Sequence, residues 1–191
     1  MPESSEPEPS NLRRPKYVDW PLFPFEGELR LKQPTFRPDP PRSGEPGGSA
    51  CEVCAYSDDE YIWVDDHWRV CQSPSAQSSV PALVLLETRE HMDLDGLTDA
   101  LAAELGPMIM RIERAIHAVG NIGRVHVYRW GDGASHFHMW FYGRPAGVMS
   151  MLGFGMPFWE PVLAPTPDDV WEQNLAIVAR ELAKDGGQAI V

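Results

Sequence analysis

Eleven of the 19 prolines fall within the first 50 residues, and that distribution divides the chain. Proline fixes φ and offers no backbone donor, so this stretch supplies neither a long helix nor a central strand. Gly44, Gly47 and Gly48 loosen the chain further just before Cys51. Residues 1–50 are expected to form a Pro-rich, largely disordered N-terminal arm. One part resists that reading. Tyr17, Trp20, Leu22, Phe23 and Phe25 are too apolar for a free tail and are expected to dock on the domain or on a second subunit. What remains of the 191 residues suffices for one domain and not for two. We expect a domain over 51–145, with a Met- and aromatic-rich loop and a C-terminal helix over 146–191 packed on it.

Within the domain, Tyr61–Val64 and Trp68–Cys71 read as short strands around an Asp65-Asp66-His67 turn, and Ala82–Glu87 as a buried strand. Helical spacing begins after Asp93 or Asp95, either of which could cap, and carries Leu97, Leu101 and Leu105. Gly106-Pro107 interrupts it. Met108, Ile109, Ile112, Ile116 and Val119 then continue an apolar face to Gly120, so one long helix or a broken pair is expected. Arg124–Trp130 and Ser135–Tyr142 form a predicted hairpin about Gly131-Asp132-Gly133. Gly143–Pro165 reads as a long loop, and a last helix starts at Asp168 or Asp169. The order implies an α+β fold: an antiparallel five-stranded sheet with the long helix packed on it and a C-terminal helix.

The net charge is −12, of which the arm, with 7 basic and 8 acidic residues, holds −1. A chain this acidic lacks the basic footprint that nucleic acid requires, and anionic membranes are disfavoured for the same reason. The longest apolar run, Val80–Leu86, is strand-sized, far below the ~18 residues of a membrane span. The N-terminus MPESSEPEPS has no apolar stretch and does not read as a signal peptide. Three cysteines, two of them in Cys51-x-x-Cys54, favour a reduced, cytoplasmic protein with thiols free for metal or redox work.

His136-Phe137-His138 places two imidazoles on one strand face, roughly 7 Å apart by strand rise. Cys51-x-x-Cys54 is half a zinc site. A redox pair would need a helix mouth to lower a thiol pKa, whereas acidic Asp58, Asp59 and Glu60 follow here. Zinc is the better reading, with two further ligands from Cys71 or the histidines.

Cys51-x-x-Cys54, a strand pair, Leu83–Leu86 leading to His91, a helix, then Ser135-His136-Phe137-His138 together resemble the histidine triad superfamily, in its zinc-bearing branch related to galactose-1-phosphate uridylyltransferase. The resemblance covers residues 51–145. It implies a structural zinc on Cys51, Cys54, His91 and His136, closed at four ligands. It also implies His138 as a nucleophile toward phosphorus, a nucleotide or phosphorylated ligand, and a homodimer. The function it implies is nucleotide hydrolysis or nucleotidyl transfer through a phosphohistidine-type intermediate.

The chain departs from that pattern in three places. The third triad position is Trp140, where related hydrolases have His and the uridylyltransferase branch has Gln. Gln72 or Ser73 stands where a ribose-binding Asp is usual, and Asp132 and Gly133 stand near the place of a leaving-group donor. Trp140, Ser135, Arg129 and Gly133 are the candidate substrate-binding residues, although strand alternation turns Ser135 to the face opposite His136. The backbone of residues 131–134 offers an anion nest, and Arg124, Arg129 and Arg144 surround the hairpin. The segment from Met149 to Trp159 is either packing or a wall over the pocket. The alternative function is a zinc-stabilised, non-catalytic ligand-binding module, favoured by Trp140.

Overall fold

The computed structural model describes residues 13–20, 22–72 and 78–191. Ser73, one of the two residues at the usual ribose-binding position, lies with 74–77 outside the described residues. The strands are β1 (Trp63–Val64), β2 (Trp68–Gln72), β3 (Ala82–Thr88), β4 (Ile122–Tyr128), β5 (His138–Pro145) and β6 (Gln188–Ala189). They form one antiparallel sheet in the order β4-β5-β3-β2-β1-β6. All seven residues of β3 are buried, as its apolar run and central place require.

The sheet therefore has six strands among the described residues, not five. The extra one, β6, is two residues long and follows Gly186 and Gly187, both at positive φ. Gly187 is needed there, since a Cβ would stand 2.4 Å from the Trp63 ring. A two-residue strand carries no alternation for a sequence reading to detect.

The first long helix, α1 (Asp99–His117), is continuous through Pro107. Thr98, not Asp93 or Asp95, caps it, accepting from the Leu101 N–H. Asp93 instead heads a 3₁₀ turn over Leu94–Gly96. Leu101, Met108, Ile112, Ala115 and Ile116 are buried along one stripe, and that burial holds the helix together across the proline. After a short α2 (Met156–Trp159), α3 (Asp168–Ala183) buries Trp171, Leu175, Val178 and Leu182. The core forms where α1 and α3 meet Val70, Val84, Leu86 and Phe141 of the sheet.

Cross-strand partners share a face. Arg69 pairs with Glu87 and Glu87 with His138; Cys71 pairs with Leu85, Leu85 with Trp140, and Trp140 with Tyr128. By alternation these rows lie on the sheet face opposite the one that carries Val70, Val84, Leu86 and Phe141. β5 begins at His138 rather than Ser135, because the preceding residues pair elsewhere: Ser135 N–H donates to Ser43 O at 2.9 Å, and Phe137 N–H to Met92 O at 2.6 Å. The predicted tight hairpin is thus a nine-residue connection, 129–137.

The arm's aromatic cluster meets the segment after β5. Tyr17 lies 5.1 Å and Trp20 6.1 Å from Phe154, Phe23 lies 5.7 Å from Phe158, and the Trp159 indole donates to Leu22 O at 2.6 Å. Deleting residues 1–12, an acidic Pro/Ser stretch, is expected to leave the melting temperature unchanged. Deleting 1–30 should cost about 1–3 kcal/mol from the lost aromatic pairs, or roughly 3–10 °C in a thermal melt. Equal melting of both truncations with the full chain would refute the docking. No helix among the described residues is long and apolar enough to cross a membrane.

Candidate metal centre and nucleophile

Cys51 and Cys54 flank the start of a 3₁₀ turn over Val53–Ala55 that turns both sulfurs to one side. The following segment is tied to the end of β3. Arg89 forks onto Asp58 at 2.9 and 3.0 Å, and Arg69 donates to Tyr56 O at 3.2 Å. This brings the two sulfurs to His91, just after β3, and to His136, just before β5. The four ligand atoms lie within 4.8 Å of one another. Cys51 Sγ and Cys54 Sγ each stand 3.5 Å from His136 Nδ1, and Cys54 Sγ stands 3.4 Å from His91 Nδ1. A tetrahedral ion with bonds of ~2.3 Å to sulfur and ~2.0 Å to nitrogen sets sulfur–nitrogen separations of about 3.5 Å, so the cage fits zinc.

The outer contacts agree. His136 is fully buried, and its Nε2–H donates to Thr88 O at 2.8 Å, leaving Nδ1 bare for a metal. Burial also pushes its pKa below the ordinary imidazole value. The Cys54 thiol is pushed up to about 11, first by burial and then by Cys51. Two thiolates cannot share so small a space without a cation between them. Gly44, at φ +89°, packs against the cage, and a Cβ there would come within 2.6 Å of His91 Cε1 and 2.7 Å of Ser135 Oγ. Cys71, the other ligand considered, lies on the sheet face beside Glu87; burial first, and then that carboxylate, holds its thiol well above the ordinary range.

His138 opens β5 on the sheet face opposite Phe141. Its Nδ1 stands 2.8 Å from His136 O, and its Nε2 stands 2.7 Å from Trp130 O. Carbonyl oxygens only accept, and a neutral imidazole donates through one nitrogen, so it can satisfy one of these contacts and not both. Beside His138 across the sheet, Glu87 is buried and accepts from Tyr61 OH at 2.9 Å, with its carboxyl pushed above the usual range by burial. Next in the row, Arg69 lies over the Tyr61 ring at 4.7 Å. The sequence reading missed Arg69 and Glu87. The available signal was Glu87 itself, a carboxylate directly after the apolar run and still within the buried strand β3.

Trp140 occupies the same face as His138, 6.0 Å from Trp130 and 6.2 Å from Tyr142. Its indole N–H is buried and finds no partner among the described residues. The other candidate substrate-binding residues have other partners. Arg129 pairs with Asp93, whose second oxygen takes Arg42 at 2.6 Å. Ser135 Oγ donates to Ser43 O at 3.1 Å and stands 3.5 Å from His91 Nε2, against the metal cage. Gly133 O accepts from Ser43 N–H at 3.0 Å. Arg124 is exposed and donates to Gly123 O, and Arg144 is buried against Pro145 and Val148 carbonyls. Gln72 accepts from the Trp171 indole. In the segment after β5, Met151 and Met156 are fully buried, and Gly153 O accepts from Tyr128 OH at 2.7 Å.

No family profile and no curated protein matches the chain. Solved structures do. A histidine triad protein from Bradyrhizobium japonicum is similar at 20% identity and a TM-score of 0.50, over 64% of this chain and 89% of that one. A zinc-bound histidine triad family protein from Mycobacterium smegmatis is similar at 18% identity and a TM-score of 0.47, over 69% and 89%. A uridylyltransferase is similar at 20% identity and a TM-score of 0.45, over 70% of this chain and 44% of that one. The similarity to the Bradyrhizobium japonicum protein, together with the sheet and helices described above, gives the architecture of this chain: it has the histidine triad fold.

Proposed function

We propose that this protein hydrolyses or transfers a nucleotidyl group through His138, in a domain held together by a structural zinc on Cys51, Cys54, His91 and His136. The observation that carries the reading is the contact of His138 Nδ1 with His136 O. A ring that donates there keeps its lone pair on Nε2, the atom that would attack. In the first step an Nε2–P bond forms and the bond from phosphorus to the leaving oxygen breaks, that oxygen taking the electron pair and then a proton. In the second step water or an acceptor hydroxyl bonds to phosphorus, the N–P bond breaks, and the acceptor's proton is released.

The test is incubation with a panel of nucleotides followed by intact mass at neutral or alkaline pH, because phosphohistidine is acid-labile. A nucleotidyl adduct is expected in the wild type and absent in His138→Ala. Run under native conditions, the same spectrum reports the proposed homodimer. β4, an outer strand of the sheet, and α1, which packs beside it, are the elements we assign to that interface.

A second reading, a ligand-binding module without turnover, is favoured by Trp140 in the third triad position and by the Trp130 carbonyl on Nε2. It predicts nucleotide binding with no adduct and no product.

A further inference from the structure

The Trp130 carbonyl occupies the position from which a phosphorus atom would react. A reacting atom must come within about 3–3.5 Å of its nucleophile, and an oxygen already stands 2.7 Å from His138 Nε2. Two oxygens carrying negative charge, the carbonyl's and a phosphate's, cannot share that place. The connection that holds this carbonyl is in turn gripped by the end of the N-terminal arm. Arg42 Nη1 donates to Gly131 O at 2.9 Å, next to the Trp130 peptide, and to Asp93 at 2.6 Å. Ser43 N–H donates to Gly133 O at 3.0 Å, Ser43 O accepts from Ser135 N–H at 2.9 Å, and Ser43 pairs with Ala134 as a parallel bridge. Arg129, the residue before Trp130, is fixed on the same Asp93 carboxylate. Glu45 holds Arg42 from its other side, accepting from Nε at 2.7 Å and from the backbone N–H at 2.8 Å.

We propose that Arg42 and Ser43 form a latch that keeps the Trp130 carbonyl over His138 Nε2, so that the protein rests with its own site closed. The inference rests on the reading of His138 as the reacting group. The arm supplies the handle: residues 30–41 are exposed along their length and lead from the surface into Arg42. Withdrawing Arg42 frees the Gly131 carbonyl, and the peptide between Trp130 and Gly131 can then turn. Gly131 also accommodates the folded-back Arg129, whose Nη1 would stand 2.1 Å from a Cβ at that position.

The test is acylation of imidazole nitrogens by diethyl pyrocarbonate at pH 8, above the ordinary imidazole pKa of about 6.5, followed by peptide mapping of the whole zinc-loaded protein. His117, exposed on α1, is the internal reference. The wild type should label His138 at least about tenfold more slowly than His117, a difference equivalent to ~1.4 kcal/mol. Arg42→Ala should raise the His138 rate by about tenfold or more while the His117 rate and the circular dichroism spectrum stay unchanged. Arg42→Lys, which keeps the charge on Asp93 and loses the guanidinium fork, should fall between the two, and it decides the matter if Arg42→Ala does not fold. A wild-type His138 that labels as fast as His117, or a His138 rate unmoved by the folded variants, overturns the latch. Labelling reports access to the ring whether or not a nucleotidyl adduct ever forms, so failure of the latch is distinguishable from failure of the proposed chemistry.

Discussion

Cys54→Ser is expected to lower the melting temperature by about 10–20 °C and to abolish stoichiometric zinc in elemental analysis. Exhaustive chelation of the wild type should do the same. The size follows from what the cage connects. The end of β3 and the start of β5 are already paired, Glu87 with His138, but residues 51–54 belong to no strand, and the four ligands are where that segment joins the sheet. Structural zinc sites contribute about 10–16 kcal/mol of apparent binding free energy, comparable with the ~5–15 kcal/mol of net stability of a whole domain. Emptying the site leaves an imidazole fully buried and a Cys54 thiol pushed up to about 11, which resists the charge that metal binding requires. Acid should release the metal for a related reason: ligands bind as thiolate and neutral imidazole, and protons compete for both. A wild type that stays metal-free and equally stable in chelator would remove the zinc from this account.

The second large effect concerns the third triad position. His138→Ala should eliminate adduct and turnover, since its neighbours on that face among the described residues, Glu87, Arg69 and Trp140, offer no second imidazole to replace Nε2. Trp140→His is expected to raise nucleotide turnover by about 100-fold, because one oriented donor to a developing oxyanion is worth ~3 kcal/mol. The gain carries a cost. The Trp140 ring fills the space between Trp130 and Tyr142, and shrinking a packed ring of that size destabilises a fold by about 3 kcal/mol. Kinetics and a thermal melt on the same sample separate the two effects. If Trp140→His loses all ligand binding while fold and zinc persist, Trp140 is a recognition wall for another ligand, and the hydrolase reading falls.

How much of this was legible in the sequence depended on the kind of atom involved. The cage was legible because Cys51, Cys54, His91 and His136 are residue types with few other reasons to stand at such spacings. The α+β class was legible because periods of 2 and 3.6 alternate along the chain. The contact that governs His138 was not, because Trp130 contributes a backbone oxygen there, and a backbone oxygen has no residue type. The Arg69–Glu87–His138 row was hidden for a different reason. Glu87 alone hints at a buried carboxylate, but its partners follow only from the register between three strands. Pro107 left a choice between one long helix and a broken pair, and the buried stripe from Leu101 to Ile116 settles it as one continuous helix.

The spacing of the ligands along the chain sets an order of assembly. Cys54 precedes His91 by 37 residues and His136 by 82. At ~5–20 residues per second of synthesis, the last ligand follows Cys54 by roughly 4–16 s. Throughout that interval the nascent chain carries two neighbouring thiols without the His136 imidazole to join them. The cage therefore closes only near the end of domain synthesis, and until then the thiols are open to oxidation against each other. The yield of correctly folded protein should accordingly follow the redox state and free metal of the compartment where it is made, as well as the stability of the finished fold.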